Sequence, residues 1–278
     1  MADSHTKNHD FHLVDPSPLP VMGSVSAFVM ACGAIFFMRD MGPAVLIAGF
    51  LGVLTTMFIW FRAVVREAEQ EKQHTPIVQK HMQIGMMLFI ASEVMFFVAW
   101  FWAYFDVSLF PADPIQAERT DFIGGVWPPE GIKTFNPWSL PFINTIILLT
   151  SGVTVTWAHH ALMKNDYGKL KLGLLLTIIL GALFTVLQAY EYSHAHFGFA
   201  DHIYGSTFFM ATGFHGFHVI VGTIFLAVIL VRANAGHFTP KQHVGFQAAA
   251  WYWHFVDVVW LFLFASIYVW GSGGNAGH

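Results

Sequence analysis

The sequence predicts an all-α integral membrane protein with seven transmembrane helices, and two observations support this fold class. Of the 278 residues, 55% are hydrophobic and only 11% are charged, whereas charged residues make up roughly a quarter of an average soluble domain. The apolar residues also form seven long runs, each near the roughly 20 residues that a helix needs to cross a bilayer. The runs do not alternate as the strands of a membrane barrel do.

The seven predicted spans are joined by polar connections. They cover residues 22–38, 43–62, 81–105, 139–159, 172–192, 203–231 and 246–270. The turn between the first two spans reads RDMGP and is short, so these spans should form an antiparallel hairpin. The charged stretch 63–80 should lie on the inner side and connect helices 1–2 (22–62) to helices 3–7 (81–271). It could act as a hinge between two bundles.

The distribution of basic residues predicts the orientation of the spans. If the N-terminal segment 1–21 is cytoplasmic, ten of the 13 Lys and Arg residues lie on the inner side and three, Arg39, Arg119 and Lys133, lie outside. The positive-inside rule then places the N-terminus in the cytoplasm and the C-terminus, after an odd number of spans, in the periplasm.

Charge and cysteine content exclude several function classes. The net charge is only -4, and the basic residues form no continuous tract, so nucleic acid is not an expected partner. The single cysteine, Cys32, lies in an apolar run. One cysteine can build neither a disulfide framework nor a four-thiolate metal site.

Glu93 is an ionisable residue at membrane depth, about twelve residues from either end of the third predicted span. A carboxyl group at that depth is costly unless it is protonated or paired, so it marks a candidate site. A role in lipid binding or proton handling and a purely structural interhelical hydrogen bond are both open. Equal depth in antiparallel spans favours a partner on the sixth span, with His218 preferred over His215.

Two polar pairs at helical i, i+3 spacing form the rest of a predicted intramembrane network. His215 and His218 lie on the sixth span, close to three glycines that allow a neighbouring helix to approach, and His254 and Asp257 lie on the seventh. The spacing of the histidine pair also suits metal or haem ligation, but packing and hydrogen bonding are favoured. An imidazole to carboxylate contact would satisfy both members of the second pair.

A redox core is excluded by the number of histidines. Two haems and a copper need about six histidines inside the bilayer, and only His215, His218 and His254 lie at that depth. The chain is therefore expected to bind no haem or copper and to have no catalytic residue. A secondary transporter would need paired broken helices or inverted halves, which the sequence does not show.

Several long strings in the sequence resemble cytochrome c oxidase subunit III, over residues 8–271. They include EKQHTPIVQKHMQIGMMLFIASEVMFFVAWFWAYF, YGSTFFMATGFHGFHVIVGT and AAAWYWHFVDVVWLFLFASIYVWG. The resemblance implies helices 1–2 and 3–7 in two bundles around a V-shaped cleft that holds phospholipid. It also implies subunits I and II as partners, which hold the haems and coppers, and cytochrome c as an indirect partner.

The resemblance assigns lipid-binding or cleft residues by position. Glu93 of the SEVMFF string borders the cleft, Arg232 matches an arginine that pairs with lipid phosphate, and Trp60, Glu67 and His74 match residues near a second head group. One departure stands at position 247, where the family usually has Glu and this chain has Gln.

The implied function is that of a non-redox subunit of a proton-pumping oxidase. It would support proton uptake by subunit I and protect the complex from turnover inactivation. A purely structural scaffold is the alternative. The expected location is a bacterial plasma membrane, with the mitochondrial inner membrane as the alternative.

Overall fold

A computed structural model describes residues 10–112, 120–121 and 123–273 of the chain. Within these ranges seven helices are long and apolar enough to cross a membrane, and the only extended pairing is one isolated bridge between Thr239 and Gln242. The predicted all-α class and the number of spans are confirmed, and the chain is an integral membrane protein. The N-terminal residues 1–9 and Arg119, which enter the orientation argument, lie outside the described residues.

The seven spans are numbered α1 to α7 in chain order. Their bounds are α1 Leu19–Met38, α2 Ala44–Glu69, α3 Pro76–Leu109, α4 Leu140–Met163, α5 Tyr167–Ser193, α6 Ile203–Asn234 and α7 Val244–Leu263. A wider π-helical turn, Phe264–Trp270, extends α7 to the end of the last span.

The helices agree with the predicted spans but extend beyond several of them. The largest differences are at α2, which continues to Glu69, and α3, which begins at Pro76. The predicted connecting segment 63–80 is therefore mostly helical, and only residues 70–75 lie between the helices. The cause is composition, because the stretch REAE at the end of α2 is rich in good helix formers and needs no apolar character to remain helical.

The chain divides into two compact units, Met1–Met82 and Gln83–His278. The first unit contains the predicted hairpin of α1 and α2. Its two helices approach closely at glycines: a side chain on Gly33 would meet the backbone of Leu46, and one on Gly49 would meet the backbone of Met30. The connecting turn contains two residues at positive φ, 58° and 89°. The outward faces are apolar, as expected of helices surrounded by lipid.

The second unit is built around two tryptophans of α7. Trp253 and Trp260 are fully buried, and each indole N–H donates to a hydroxyl of α4, to Ser151 at 2.8 Å and Thr145 at 2.9 Å. Glycines of α5 and α6 make room for the Trp253 ring. Small residues thus let large aromatic rings fill the space between helices, a common packing mode inside membranes.

Aromatic side chains join α3 to α6 and α7. Phe96 and Trp100 lie with ring centroids 4.9 and 5.1 Å from that of Phe214, and Phe101 packs against α7. Near the end of α3, the Tyr104 hydroxyl donates to a backbone carbonyl of the last span at 3.1 Å. These contacts fix α3 beside α6 and so position the residues of the candidate site.

We expect Gly33→Leu to destabilise the hairpin of the first unit, because the new side chain would collide with backbone that cannot move aside. Overpacking of this kind typically costs about 1–3 kcal/mol. The matched control is Gly85→Leu, since Gly85 is exposed and nothing lies within 4 Å of a Cβ atom at this position. Detergent-induced unfolding of the purified complex measures the difference, and equal stability of the two variants would contradict the packing described here.

Candidate functional site

The candidate site is a contact between the middle of α3 and the middle of α6. Glu93 is the 18th of the 34 residues of α3, and His218 is the 16th of the 32 residues of α6. His218 Nε2 lies 2.9 Å from Glu93 Oε2. The His218 and Glu93 side chains are 8% and 23% exposed, respectively. The predicted pairing of Glu93 with His218 is therefore confirmed.

The second ring nitrogen of His218 determines which hydrogen-bond donors the pair contains. His218 Nδ1 lies 2.6 Å from the carbonyl oxygen of Phe214, one turn earlier in α6. A carbonyl can only accept, so Nδ1 carries a proton. The contact with Glu93 then needs one further proton, held either on the carboxyl oxygen or on Nε2. In both arrangements the pair as a whole is neutral, which suits its position in hydrocarbon.

Aromatic rings surround the imidazole of His218. Ring centroids within about 6.5 Å of it belong to five residues of α3, α6 and α7, namely Phe96, Phe97, Phe217, Tyr252 and Phe255. These rings exclude water from the histidine and strengthen its hydrogen bonds, because electrostatic interactions are stronger in an apolar environment.

His215 has a different environment from His218, although the two are one helical turn apart. His215 is 1% exposed, and its Nε2 lies 3.1 Å from the carbonyl of Val256 in α7. One histidine is thus bound to α7 and the other to α3, so the two do not converge on a common ligand. Among the described residues, no group of three or more His, Cys, Asp or Glu side chains is arranged to hold a metal ion.

The second predicted pair lies at the contact of α7 with α4. His254 Nδ1 is 3.4 Å from Asp257 Oδ2, and His254 Nε2 is 3.0 Å from the Thr156 hydroxyl of α4. Asp257 is buried and lies directly over Gly152, whose missing side chain leaves room for the carboxylate. The predicted imidazole to carboxylate contact is present, and the histidine also joins two helices.

Arg232 lies in the last turn of α6, half-buried and 14 residues after His218. Fourteen residues correspond to about 21 Å along the helix. The guanidinium carbon lies 4.7 Å from the centroid of the Phe238 ring, a cation–π distance. A side chain on Gly245 would collide with one of the guanidinium nitrogens, so the glycine leaves space for the arginine head.

The three remaining predicted residues lie in the first unit. Trp60 is 41% exposed on α2, and Glu67 lies seven residues later on the same helix face. Glu67 Oε2 is 3.6 Å from Nε2 of His12, and the backbone carbonyl of His74 accepts a hydrogen bond from the Gln79 amide at 3.0 Å. The structure thus brings Glu67 together with His12, a residue that the sequence alone did not single out.

Gln247, which stands where the family usually has Glu, accepts a hydrogen bond from α3. Gln83 Nε2 of α3 donates to Gln247 Oε1 of α7 at 2.7 Å. An amide oxygen accepts this bond as a carboxylate oxygen would, so Gln247 can keep the link between the two helices without a negative charge.

The sequence did not predict one buried polar cluster, which is centred on Glu191. Glu191 Oε1 accepts hydrogen bonds from Tyr268 at 2.6 Å and from Gln188 at 3.2 Å, and Gln188 in turn accepts from Asn144 at 3.3 Å. Glu191 lies at the end of its predicted span, where a carboxylate normally faces water. Its i, i+3 spacing from Gln188 was the available signal.

Comparison with known proteins identifies the family. A sequence model described as cytochrome c oxidase subunit III matches residues 9–272. The chain belongs to the cytochrome c oxidase subunit III family. Curated relatives named cytochrome c oxidase subunit 3 include those of Arabidopsis thaliana, 52% identical over 269 residues (96% of this chain and 98% of the relative), and Chondrus crispus, 54% identical over 268 residues (96% of each). The relative in Rattus norvegicus is 51% identical over 266 residues, or 96% of this chain and 99% of that protein.

Membership in the subunit III family confirms the resemblance found in the sequence. The chain is an accessory subunit of an oxidoreductase complex, cytochrome c oxidase, and it works together with other subunits. The contact between Glu93 and His218 is therefore a feature of an oxidase subunit in the membrane.

We expect Glu93→Gln to fold and assemble almost normally, because the glutamine amide can donate to the unprotonated Nε2 of His218. Glu93→Ile should leave that nitrogen unsatisfied and destabilise the subunit by about 1–2 kcal/mol. The measurement is resistance of the purified complex to denaturing detergent. If the Gln and Ile variants lost equal stability, the hydrogen bond would not account for the stabilising effect of the pair.

Proposed function

We propose that the chain is the non-redox, phospholipid-binding subunit of a proton-pumping cytochrome c oxidase. In this proposal it assembles with subunits I and II, which hold the haems and coppers and receive electrons from cytochrome c. It supports proton uptake by subunit I and stabilises the complex against turnover inactivation. The observation that carries the proposal is the family match over residues 9–272.

A face of α6 supports the lipid-binding part of the proposal. Val221, Val228 and Arg232 follow His218 at spacings that place them on one side of the helix. The two valines are 37% and 50% exposed. A phosphate at Arg232 would lie about 21 Å from His218, so acyl chains lying along the valines would run towards the contact with Glu93. Arginine suits the phosphate because its guanidinium donates several hydrogen bonds in a fixed fork.

The neutral pair of Glu93 and His218 supports a role in proton handling. It holds a proton near the middle of the membrane, between a carboxyl group and an imidazole that can each carry it. We propose that Trp60, Glu67 and His74 serve a second lipid head group, as the family resemblance implies. The chain itself is proposed to bind no haem or copper and to perform no bond chemistry.

We propose an orientation with the N-terminus in the cytoplasm and the C-terminus in the periplasm of a bacterial plasma membrane. Its support is the excess of basic residues in segments on the proposed inner side, ten against three. In a mitochondrial inner membrane, the alternative location, the N-terminus would lie on the matrix side, which corresponds to the bacterial cytoplasm.

Removing the subunit tests the proposal against a purely structural scaffold. We expect the oxidase that lacks this chain to take up protons several-fold more slowly and to be inactivated after fewer turnovers. The measurements are proton uptake by the reconstituted enzyme and the number of turnovers before activity is lost. A complex that assembles poorly but takes up protons normally and has an unchanged working lifetime would establish the scaffold function instead.

We expect Arg232→Ala to weaken one bound phospholipid, because the phosphate loses its charge-assisted partner. A hydrogen bond to a charged group contributes about 1.5–3 kcal/mol, so retention should fall about tenfold or more. The matched control is Lys241→Ala, which removes an exposed positive charge from the loop that follows α6. Phospholipid analysis of washed complexes checks this, and equal lipid content in both variants would contradict the assignment.

A further inference from the structure

A buried acid that the functions proposed above do not use lies at one end of the second unit. Glu191 is two residues from the end of α5, and its partner Tyr268 is two residues from the end of the last span. Gln188 lies one turn before Glu191, and Asn144 is in the second turn of α4. All four side chains are buried. They join α4, α5 and the last span through hydrogen bonds that no solvent can replace.

The hydrogen bonds of Glu191 converge on one of its two carboxyl oxygens. Oε1 accepts from the Tyr268 hydroxyl at 2.6 Å and from the Gln188 amide at 3.2 Å. Oε2 is closed off from solvent and has no hydrogen-bond partner among the described residues. A charged carboxylate needs donors on both oxygens, whereas a protonated acid has one carbonyl oxygen that accepts and one hydroxyl that donates. The observed pattern is that of an acid with its proton on Oε2.

A second acceptor of the same network is also unsatisfied. The Asn144 amide donates to Gln188 Oε1 at 3.3 Å, but Asn144 Oδ1 has no partner in the described part of the chain. If Glu191 were charged, the network would contain two buried acceptors and no donor for either, and each unsatisfied acceptor costs free energy. A proton on Glu191 Oε2 removes one of these acceptors and supplies the donor that the network lacks.

The other titratable groups around Glu191 do not balance a negative charge. They are neutral phenols of α5, α6 and the last span and exposed bases of the two adjoining loops, namely Tyr192, Tyr204, Tyr268, Lys133, His194 and His196. None of these bases forms an ion pair with Glu191, whose side-chain contacts are the hydrogen bonds from Tyr268 and Gln188. A carboxylate without a cation in a site closed to water is strongly disfavoured relative to the neutral acid.

We propose that Glu191 is a proton-binding site whose carboxyl group stays protonated and neutral in the assembled oxidase. The proton is on Oε2, and Oε1 is the carbonyl oxygen through which Tyr268 holds the last span to α5. The site lies near the end of its span, whereas the neutral pair of Glu93 and His218 lies at the middle of the membrane. It rests on hydrogen bonds within this chain and does not depend on the proton-uptake function proposed above.

Infrared spectroscopy of the oxidase complex at neutral pH tests the proposal, with isotope labelling of the glutamate carboxyl carbon to identify the bands. A protonated carboxylic acid has a carbonyl stretching band that a carboxylate lacks. Glu191→Gln should assemble normally, because the amide is neutral and donates where the acid hydroxyl did, and it should remove one acid band. The matched control is Glu130→Gln in the loop before α4, an exposed position whose replacement should remove none. Loss of a carboxylate band from Glu191→Gln, with every acid band kept, would overturn the proposal.

A second variant leaves the acid in place and changes its hydrogen bond. Tyr268→Phe removes the donor at 2.6 Å from Oε1, so the acid band should remain and move to higher frequency, because its carbonyl bond is less polarised. The matched control is Tyr190→Phe, which removes a phenol that is 57% exposed on α5 and should leave the band unchanged. Should Glu191→Gln fail to assemble, Tyr268→Phe decides, and an acid region identical to that of the unmodified complex would overturn the proposal.

Discussion

The lack of water inside the bilayer is the constraint on which the rest of this structure depends. A polar side chain in hydrocarbon has to find its partner within the protein, because no solvent can replace a missing hydrogen bond. Glu93 meets this condition through His218 at 2.9 Å, and His254 meets it through Asp257 and Thr156. The contact of Glu93 with His218 joins α3 to α6, and that of His254 with Thr156 joins α7 to α4, whereas the contact of His254 with Asp257 lies within α7. The polar residues thus specify which helix faces lie together.

The helices approach each other closely at glycines, which leave room either for the backbone of the neighbouring helix or for a large aromatic ring. Gly33 and Gly49 bring α1 and α2 into backbone contact, and glycines of α5 and α6 make room for Trp253. In a membrane, burial of apolar surface does not favour helix association, because lipid is as apolar as the helix itself. Packing and interhelical hydrogen bonds therefore hold the helices together, and the indole bonds from Trp253 and Trp260 to α4 supply both.

The polar groups of α6 differ in depth and so in the chemistry available to them. His218 is at the middle of the helix, where a neutral hydrogen-bonded pair is the stable arrangement. Arg232 is in the last turn, where a permanent positive charge can reach the head-group layer. A long helix with a neutral hydrogen-bonded pair at its centre and an arginine at its end is what the lipid and proton roles proposed above require.

The sequence by itself determined the number of spans and the depth of Glu93 and His218, because hydrophobic length and helical rise are local properties of the chain. The family followed from the resemblance of its long strings to cytochrome c oxidase subunit III. Equal depth in antiparallel helices was sufficient to predict that the partner of Glu93 lies on α6, where His215 and His218 are at similar depth. Only the tertiary structure decided that His215 binds α7 while His218 binds α3, and that Glu67 lies beside His12. It also decided that Glu191 is buried, since an end-of-span position does not reveal whether a loop and a neighbouring helix cover it. These outcomes depend on helix rotation and packing between distant segments, which spacing along one helix cannot specify.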